Sequence, residues 1–591
     1  MIVKRTFDIL EKYAHEFPYK EVALAGKDPG GYFTYSTTDY LEKTDNISFG
    51  LLKLGVEKGD KIASITFNRP EWNFLDMGIT QIAAIHIPIY PTISDNDYEY
   101  ILKHAEVKYL FVAGIEMYNR IKHIVPNIPS LKAVYTFRNL NGIQHLEELI
   151  ELGGNNKEPE KLKAIKDSIS ENDIATIIYT SGTTGTPKGV ILTHKNLVSN
   201  FLAASKIPSY GPNEIALSFL PICHIYERML NYMYQYLGLT IYYSGSLANL
   251  ADNFKEFNPH VFSTVPRLLE KIFDKIVNKG NTLKGFSKKI FFWSLDIALK
   301  YDIRREKEFI YGTKLKIARK LVLNKIKATL GNNIDIIVSG GAALQMRLCK
   351  FYWALGVHVL EGYGLTETSP VVTVNNLKPN GTKFGTVGLP LEEDILIRIA
   401  EDGEILCKTP GLMQGYYKED GLTNEVIDAD GWFHTGDIGV IEKSGHLKIT
   451  DRKKLIFKTS FGKYISPQMI ENKFKESLYI DQLMVFGENQ KFAAALIVPE
   501  FANLKIWADS KGLKFENKSE MVKHEEVKKL FKDEVNFLNS FLGDYERIGQ
   551  YEVLDNEWSI ENGELSATLK VRRTYVNAKY KAAMQNIFPD L

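Results

Sequence analysis

The sequence is poor in the features that mark several classes of protein. It has three cysteines in 591 residues, Cys223, Cys349 and Cys407, which are far apart and odd in number. This pattern predicts neither a disulfide framework nor closely spaced metal ligands, and it fits a reducing cytoplasm. No uninterrupted apolar run reaches about 18 residues, so no membrane-spanning helix is predicted. The first residues also lack the pattern of a secretory signal.

An excess of charge of one sign is missing as well. Lys and Arg together number 73, Asp and Glu 72, which gives a formal net charge of +1. Because no global basic field is present, we expect no nucleic-acid partner. The length and the hydrophobic content of 45% predict a globular protein with at least two domains.

What the sequence does have is a dense anion-binding loop, YTSGTTGTPKG, at positions 179–189. Two glycines allow tight turns, five hydroxyls add donors, and Lys188 adds a cation. The loop fails the Walker A pattern G-x-x-x-x-G-K-[ST], because Lys188 follows Pro187 and precedes Gly189. Ser, Thr and Gly are also ordinary turn residues. Their density here favours a cradle for nucleotide phosphates.

Strand and helix patterns alternate from Lys61 to Gly114, as KIASITF, PEWNFLDMGITQIAA, HIPIY, DNDYEYILKHA and KYLFVAG. This alternation predicts a parallel sheet with crossover helices. Further strands, DIATIIYT and IDIIVSGGA, precede two glycine-bearing loops. Nucleotides bind at the carboxyl ends of strands in such sheets, so both loops are expected at that edge.

A basic segment at about 271–330 has apolar residues at helical spacing and predicts two or three helices. We interpret it as a solvated helical insertion, with a surface for anionic lipid or a polyphosphate cofactor as the alternative. An apolar run, SFLPICHIYERMLNYMYQYLGLTIYY, is interrupted by His224, Glu227 and Arg228. It predicts core or a pocket wall. Its tyrosines Tyr226, Tyr232, Tyr234 and Tyr236 fit an acyl tunnel or core packing equally.

The pattern changes after Pro410, where GWFHTGDIGVIEKSGHLKITDRKK predicts glycine-turn hairpins. Beyond Asp451, the strands QLMVFGE and FAAALIVP precede a helical face formed by Val527, Leu530, Phe531, Val535 and Leu538. We therefore predict an N-terminal domain at 1–450 and a separate α+β domain at 451–591, which is large enough to fold alone.

Five further segments follow the phosphate loop: SGGAAL, EGYGLTETSP, FHTGDIG, DRKKLIFKTSFGKYISP and GELSATLKVRR. In this order they resemble the adenylate-forming superfamily of acyl-CoA synthetases, firefly-type luciferases and adenylation domains. The resemblance covers about 33–573. PICHIYERM, SGGAAL, the helical insertion and LSATLKVRRTYV are most similar to long-chain fatty acid CoA ligases. The resemblance to this superfamily implies an α/β fold. The fold would have a large N-terminal domain of parallel-sheet subdomains plus a β-barrel-like subdomain, and a small mobile α+β C-terminal domain.

The resemblance also implies residue roles. Lys570 would bridge the substrate carboxylate and the α-phosphate, Thr366 would contact the α-phosphate, and Thr180 and Glu367 would hold Mg²⁺. His224 would line the acyl site, although a lone histidine in an apolar run is more often a core residue. The ATP-binding set is Thr180, Ser181, Gly182, Thr183, Thr184, Gly185, Lys188, Gly341, Ala342, Glu361, Gly362, Tyr363, Gly364, Thr366, Asp437, Arg452 and Lys458.

Within that set, Tyr363 would stack on adenine and Asp437 would accept from both ribose hydroxyls. Asp451 matches the family's hinge, and Gly462 and Lys463 match the CoA-side face. Each residue also has an ordinary alternative role, with Asp437 in an Asx turn, Tyr363 in the core and Lys570 as a surface charge. One departure is Phe461, since relatives usually have a second glycine before the lysine.

The expected reaction converts a medium- or long-chain fatty acid to acyl-AMP and then to acyl-CoA, with ATP, Mg²⁺ and CoA. The alternatives are an acyl-AMP ligase that serves a carrier protein, a CoA ligase for aryl or other acids, and a non-catalytic lipid-binding protein. We expect a cytoplasmic monomer or homodimer. Peripheral membrane contact is left open.

Overall fold

The computed structural model describes residues 2–28, 31–181, 186–245, 249–566 and 569–590. Its strands are β1 Leu24–Asp28, β2 Gly31–Tyr35, β3 Lys61–Ile65, β4 Ile85–Ile89, β5 Val107–Val112, β6 Ala133–Thr136, β7 Ile174–Ser181, β8 Pro187–Thr193, β9 Ile215–Ser218, β10 Thr240–Tyr243, β11 Val261–Thr264, β12 Ile336–Ser339, β13 His358–Gly364, β14 Val371–Val374, β15 Leu389–Pro390, β16 Leu396–Ile399, β17 Glu404–Lys408, β18 Gly415–Tyr416, β19 Phe433–Ile441, β20 Leu447–Arg452, β21 Phe457–Lys458, β22 Tyr464–Ile465, β23 Ile480–Phe486, β24 Ala493–Pro499 and β25 Ile548–Val553.

The helices are α1 Asp8–Glu16, α2 Thr37–Lys53, α3 Glu71–Thr80, α4 Asp95–His104, α5 Ile115–Ile121, α6 Leu146–Gly154, α7 Pro159–Ser168, α8 His194–Ala204, α9 Ile225–Tyr236, α10 Leu250–Phe257, α11 Pro266–Thr282, α12 Gly285–Leu299, α13 Phe309–Ala318, α14 Asn324–Lys327, α15 Met346–Ala354, α16 Asp420–Val426, α17 Pro467–Phe474, α18 Phe501–Ser510, α19 Lys518–Lys523, α20 Glu525–Asn539, α21 Arg573–Lys579 and α22 Lys581–Ile587. None of the helices in the described ranges is both long and apolar enough to cross a membrane.

The alternating segment that begins at Lys61 forms the centre of a seven-stranded sheet, in the order β18-β8-β7-β4-β3-β5-β6. Strands β7, β4, β3, β5 and β6 run parallel, and β8 and β18 add antiparallel pairs at one edge. All five residues of β4 are buried, as expected for a parallel strand covered on both faces. The predicted crossover pattern is therefore confirmed.

A second sheet has nine strands, in the order β15-β14-β13-β12-β11-β9-β10-β1-β2. Its central strands β13, β12, β11, β9 and β10 are parallel. The two glycine-bearing loops thus follow strands of different sheets, since β7 lies in the first sheet and β12 in the second. Helix α9 lies between them, because its Arg228 bonds Thr176 of β7 and its Glu227 bonds Ser263 of β11.

The glycine-rich region after Pro410 contributes the hairpin β19–β20 to a four-stranded antiparallel sheet, ordered β16-β17-β19-β20. This is the antiparallel subdomain that the hairpin pattern predicted. The hairpin matters for the site because it carries both Asp437 and Arg452, which are paired across the two strands.

The C-terminal segment contains the sheet β23-β24-β25 and the helix α20, whose inner face is Val527, Phe531, Val535 and Leu538. Two hydrophobic cores consist only of residues from Phe457 onward. The boundary at Asp451 stays a prediction.

Polar contacts join this segment to α11 and to the start of α15. Asn278 Nδ2 donates to Asn503 Oδ1 over 2.5 Å, and Arg347 donates to the carbonyl of Glu476 over 3.0 Å. Arg267 also pairs with Asp481. These contacts fix the C-terminal segment over one side of the large domain.

Candidate active site

The phosphate loop lies at the end of the β7–β8 hairpin. Thr180 and Lys188 are opposite each other across the two strands, so the hydroxyl and the ammonium flank the mouth of the loop. Gly182, Thr183, Thr184, Gly185 and the side chain of Ser181 lie outside the described residues. Their predicted phosphate contacts stay predictions.

Tyr416 connects Glu367 to the phosphate loop, because it contacts both Glu367 and Lys188. The Tyr416 hydroxyl donates to Glu367 Oε1 over 2.8 Å, and Lys188 Nζ lies 5.2 Å from the centre of the Tyr416 ring. This chain of contacts places one carboxylate beside Thr180 and Lys188. An oxygen set of one carboxylate and one hydroxyl suits Mg²⁺, which takes few protein ligands and shares phosphate oxygens. Thr366, the neighbour of Glu367, is buried.

The side at which adenine is expected is formed by the ends of β12 and β13. Gly341 and Ala342 are exposed just after β12, and Gly341 has φ +81, which favours glycine. Gly364 is constrained differently: a Cβ there would lie 1.7 Å from the Pro370 carbonyl oxygen. A side chain at position 364 would therefore push the strand away from the loop that carries Glu367.

Glu361 is a buried carboxyl next to these glycines. It lies opposite Ser339 across β12 and β13. Its Oε1 has no hydrogen-bond partner among the described residues, and burial raises its pKa to about 8. Glu361 is thus largely protonated at neutral pH and keeps an unsatisfied polar atom beneath the adenine side.

Tyr363, Asp437 and Arg452 form a hydrogen-bonded cluster. The Tyr363 hydroxyl donates to Asp437 Oδ2 over 2.8 Å, and Arg452 Nε lies 2.9 Å from Asp437 Oδ1. Thr435 supports the cluster, since its Oγ1 accepts from the Asp437 backbone N–H and donates to the Ile405 carbonyl. Asp437 is buried, whereas the Arg452 side chain is 45% exposed. The cluster is therefore open on one side.

Lys570 comes to this cluster from the C-terminal segment. Lys570 is exposed. Partial loss of hydration, with Arg452 acting in the same direction and Asp437 opposing, lowers its pKa to about 8. It also lies close enough to His224 for its charge to depress the pKa of that imidazole. Two bonds fix the backbone of Lys570, because Lys570 N donates to Ser566 Oγ and Ser566 N donates to the Lys570 carbonyl. The charges of Arg452 and Asp437 act on Lys570, and Lys570 acts on His224, so these side chains share one region, although no hydrogen bond or ion pair joins the Lys570 side chain to them in the described ranges.

His224 caps the N-terminus of α9, where its Nδ1 accepts from the Tyr226 backbone N–H over 3.1 Å. Burial, with a smaller contribution from Lys570, lowers its pKa to about 4, so the ring is neutral at pH 7. Tyr226 packs against Gly340, where a Cβ would lie 3.2 Å from the ring, and donates to the Val338 carbonyl. Tyr232 and Tyr234 instead lie fully in the core. Tyr236 is half-buried, with the Lys12 ammonium 4.7 Å from its ring centre.

The remaining C-terminal residues are separate from this cluster. Asp451 is buried and accepts from Ser466. Lys458 lies in the β21–β22 hairpin with Nζ 5.4 Å from the Tyr464 ring centre, and in the described chain it makes no hydrogen bond or ion pair with Tyr363 or Asp437. Gly462 and Lys463 occupy the turn of that hairpin, and Phe461 beside them is 72% exposed. The predicted ribose or phosphate role of Lys458 stays a prediction.

Sequence reasoning missed residues that hold the site in place. Tyr416 had no signal beyond being aromatic, yet it positions Glu367. Glu404 was also missed: its Oε1 accepts from the Gly436 backbone N–H, and its Oε2 pairs with Lys453, both at 2.8 Å. These contacts fix the turn that precedes Asp437.

Contacts in the described ranges link Lys188 to Glu367 through Tyr416 and Tyr363 to Arg452 through Asp437, and the charges of Asp437 and Arg452 act on Lys570. This arrangement defines an adenylate-forming type of enzyme. A family model described as AMP-binding enzyme matches residues 10–417, and the chain belongs to that family.

The chain is also similar over most of its length to named relatives. The chain is 30% identical to long chain acyl-CoA synthetase 6, peroxisomal, of Arabidopsis thaliana, over 99% of this chain and 86% of that protein. It is 32% identical to long-chain-fatty-acid–CoA ligase 1 of Homo sapiens, over 91% and 80%. Among solved structures, the adenylation domain of a carboxylate reductase from Mycobacterium chelonae matches with a TM-score of 0.80 at 20% identity, over 99% of this chain and 91% of that one. The fold prediction is confirmed.

Proposed function

We propose that this protein is an AMP-forming ligase that activates a medium- or long-chain fatty acid with ATP and transfers the acyl group to CoA. The family and the names of the full-length relatives support this reaction. The observation that carries it is the position of Lys570, which lies near enough to Arg452 and Asp437 for their charges to shift its pKa and near enough to His224 to lower the pKa of that ring.

In the first half-reaction a carboxylate oxygen attacks the α-phosphorus of ATP. A P–O bond forms to the acyl group, the bond between the α-phosphorus and its bridging oxygen breaks, and pyrophosphate leaves. Attack brings two anions together, so a cation at the point of contact lowers the barrier. Lys570 supplies this cation and remains mostly protonated at pH 7, since its pKa is about 8. Lys188 supplies a second cation beside the leaving phosphates.

The other residues orient the nucleotide. Asp437 exchanges its Tyr363 contact for ribose hydroxyls, and the Tyr363 ring offers a face to adenine. Glu367 and Thr180 would hold Mg²⁺, which when bound supplies charge neutralisation at the phosphates. His224 and Tyr226 line the acyl side, beside Gly340.

In the second half-reaction the CoA sulfur attacks the acyl carbon, the bond to AMP oxygen breaks, and AMP leaves. Lys570 fills the approach to the acyl adenylate in the conformation described above, so it must withdraw. A rotation about Asp451 would replace it by the hairpin that carries Gly462 and Lys463. Exposure of Phe461 on that hairpin fits a surface that is buried only in the second conformation.

The test separates the two half-reactions. We expect Lys570→Ala to lose pyrophosphate release from ATP and fatty acid by at least about a hundredfold, while it still forms acyl-CoA from preformed acyl-AMP and CoA. Lys463→Ala is the matched control, with the opposite pattern. ATP-driven adenylation that survives in Lys570→Ala would contradict the assignment.

A panel of acids in the same assay tests the substrate class. Thioester formation should be greatest with medium- or long-chain fatty acids. Acyl-AMP that accumulates without any CoA thioester would favour an acyl-AMP ligase, and a preference for aryl acids would favour the other alternative.

We also propose a cytoplasmic location. All three cysteines are buried free thiols, which suits a reducing compartment. Fractionation of cells that express the full chain at native level, with immunodetection, tests this, and recovery of the protein in an oxidising compartment would contradict it.

A further inference from the structure

Helix α13 and the short π-helix Arg319–Leu323 that follows it carry exposed apolar residues. Phe309 is 88% exposed and Ile310 70%, and Ile317 and Leu321 are also exposed. Ile310, Ile317 and Leu321 follow one another at spacings of seven and four residues, which places them on one side of a helix. We call these four residues, with Phe286 and Trp293 of α12, the apolar stripe.

Packing does not explain the apolar stripe. The buried side of α13 is Tyr311, Leu315 and Ala318, and the Tyr311 hydroxyl donates to the Ile297 carbonyl of α12. The core therefore uses one side of the helix and leaves the apolar residues of the other side in water. A helix that is apolar on both sides is expected only where a second apolar medium or partner meets it.

The charge on α13 and on the helical segment that follows it, up to Lys327, is of one sign. Residues 309–327 contain five lysines and one arginine but no Asp or Glu. Arg319 pairs with Glu306, and Lys327 donates to the Gly356 carbonyl. The other four, Lys314, Lys316, Lys320 and Lys325, are exposed, and none pairs with a carboxylate within the described ranges.

This differs from many lysines on other exposed helices of the same protein. On α7, Lys163 pairs with Asp167 at 2.9 Å, and on α4, Lys103 pairs with Glu99 at 2.6 Å. The formal net charge of the whole chain is only +1, so the excess on α13 is local. A local positive surface with a central apolar row complements an anionic, partly apolar surface.

On these grounds we infer that the face formed by α12, α13 and the π-helix after α13 is a docking surface for an anionic lipid bilayer. Phe309, Ile310 and Phe286 would enter the boundary between head groups and acyl chains, and Trp293 would lie at the head-group level. The unpaired lysines would contact anionic head groups. A polyanion without apolar groups, such as a nucleic acid, would use the lysines but would leave the exposed Phe and Ile side chains without a role.

Flotation of the full-length protein with vesicles tests this inference without any substrate, so its outcome is independent of the proposed reaction. Vesicles of phosphatidylcholine with about one third phosphatidylglycerol are compared with pure phosphatidylcholine. We expect binding to the anionic vesicles that weakens in high salt and is weak on the neutral ones. No binding to anionic vesicles would overturn the inference.

Two variants separate the apolar from the electrostatic contribution. Phe309→Ser with Ile310→Ser should lower the vesicle partition coefficient at least about tenfold. Lys314→Gln with Lys316→Gln and Lys320→Gln should lower it about a hundredfold, since each lysine near an anionic leaflet contributes about fivefold. Unchanged thermal midpoints would show that both variants fold.

Matched controls lie on other helices. Ile506→Ser on α18 removes an apolar side chain that is 53% exposed, against 70% for Ile310. Lys161→Gln with Lys163→Gln on α7 removes lysines that pair with carboxylates. Both should float like the unmodified protein. If the lysine variant alone lost binding and the Phe309/Ile310 variant kept it, the face would be a polyanion site and the lipid inference would be wrong.

Discussion

The protein contains two clusters of the same chemical composition with different surroundings. In the first, the Tyr232 hydroxyl and the Arg228 guanidinium each lie 2.5 Å from an oxygen of Asp76. The second is the Tyr363, Asp437 and Arg452 cluster of the site, with distances of 2.8 and 2.9 Å. Arg228 is completely buried, whereas the Arg452 side chain is 45% exposed.

The buried cluster is saturated. Arg228 also donates to Thr176 of β7, and His86 joins Asp76 Oδ1 to Ser64. Burial opposes ionisation of Asp76, but Arg228 and His86 hold the pKa of its carboxyl below the usual range. The cluster ties α3 and α9 to the first sheet and offers no free position for a ligand. The site cluster is exposed at its Arg452 end, and the charges of Arg452 and Asp437 act on Lys570. Identical residue types therefore form a fully buried structural cluster in one place and, in the proposed function, a nucleotide-binding cluster in the other.

The largest effect should come from breaking the buried pair. Arg228→Met leaves Asp76 as an uncompensated buried charge, which costs about 3–5 kcal/mol of the free energy of unfolding. The thermal midpoint should fall by several degrees or the protein should fail to accumulate. Arg452→Met is the matched control and should keep its thermal midpoint while it loses adenylation. Equal destabilisation by both variants would remove the distinction between the clusters.

The next effect concerns activity. Asp437→Asn should lower kcat/KM for ATP about a hundredfold, roughly 3 kcal/mol, since an amide presents one acceptor where the ribose hydroxyls need two. Its thermal midpoint should change little, because the amide oxygen can still accept from the Tyr363 hydroxyl and the released Arg452 side chain is 45% exposed. Steady-state pyrophosphate release with varied ATP measures this. A variant that kept its ATP affinity would show that Asp437 only holds the β19–β20 hairpin.

The sequence predicted these two clusters unequally. Asp437 and Tyr363 stand in dense glycine motifs that resemble a known family, so their roles were expected. Arg228 and Glu227 appeared only as interruptions of an apolar run, which correctly indicated core or pocket wall. The partners of these residues could not be predicted, because Asp76 lies 152 residues from Arg228 in the sequence and no local pattern encodes such a pairing.

The same reason explains the remaining gaps. The strand patterns placed both glycine loops at strand ends, but the assignment of β7 and β12 to different sheets depends on long-range pairing. The Tyr416–Glu367 bond joins residues 49 positions apart. Periodicity fixes which face of an element is buried, whereas contacts between elements require the tertiary fold.

Buried carboxyls extend the comparison to pH. Glu227 accepts hydrogen bonds from Ser263 and Asn231, and burial raises its pKa to about 7. Glu361 Oε1 has no hydrogen-bond partner among the described residues, and burial raises the pKa of this carboxyl to about 8. A folded-state pKa above the usual value of 4.5 means that the folded protein binds the proton more tightly. The contribution of protonated Glu361 to the free energy of unfolding is therefore fully present below pH 4.5, and it is lost as the pH rises to about 8.

Glu361→Gln removes this loss. Between pH 6 and 8 the unmodified protein should lose roughly 2 kcal/mol of unfolding free energy that the variant keeps. Thermal midpoints measured across this range, in the same ionic strength, report the difference. Parallel curves for the two proteins would show that Glu361 is ionised in the folded state.

The smallest effects should come from the tyrosine hydroxyls, and they test the comparison most directly because the deletion is identical. Tyr232→Phe leaves an oxygen of buried Asp76 without its donor and should cost about 1–3 kcal/mol of stability. Tyr363→Phe removes the matching donor from Asp437, whose remaining partner Arg452 is 45% exposed and can shift to cover the freed oxygen, so the loss should stay below about 1 kcal/mol. The aromatic face is retained, and adenylation should fall only a few-fold. Chemical denaturation of both variants measures the loss of stability, with pyrophosphate release as the second readout. If Tyr363→Phe were the more destabilised of the two, exposure would not separate the structural cluster from the functional one, and the comparison would be wrong.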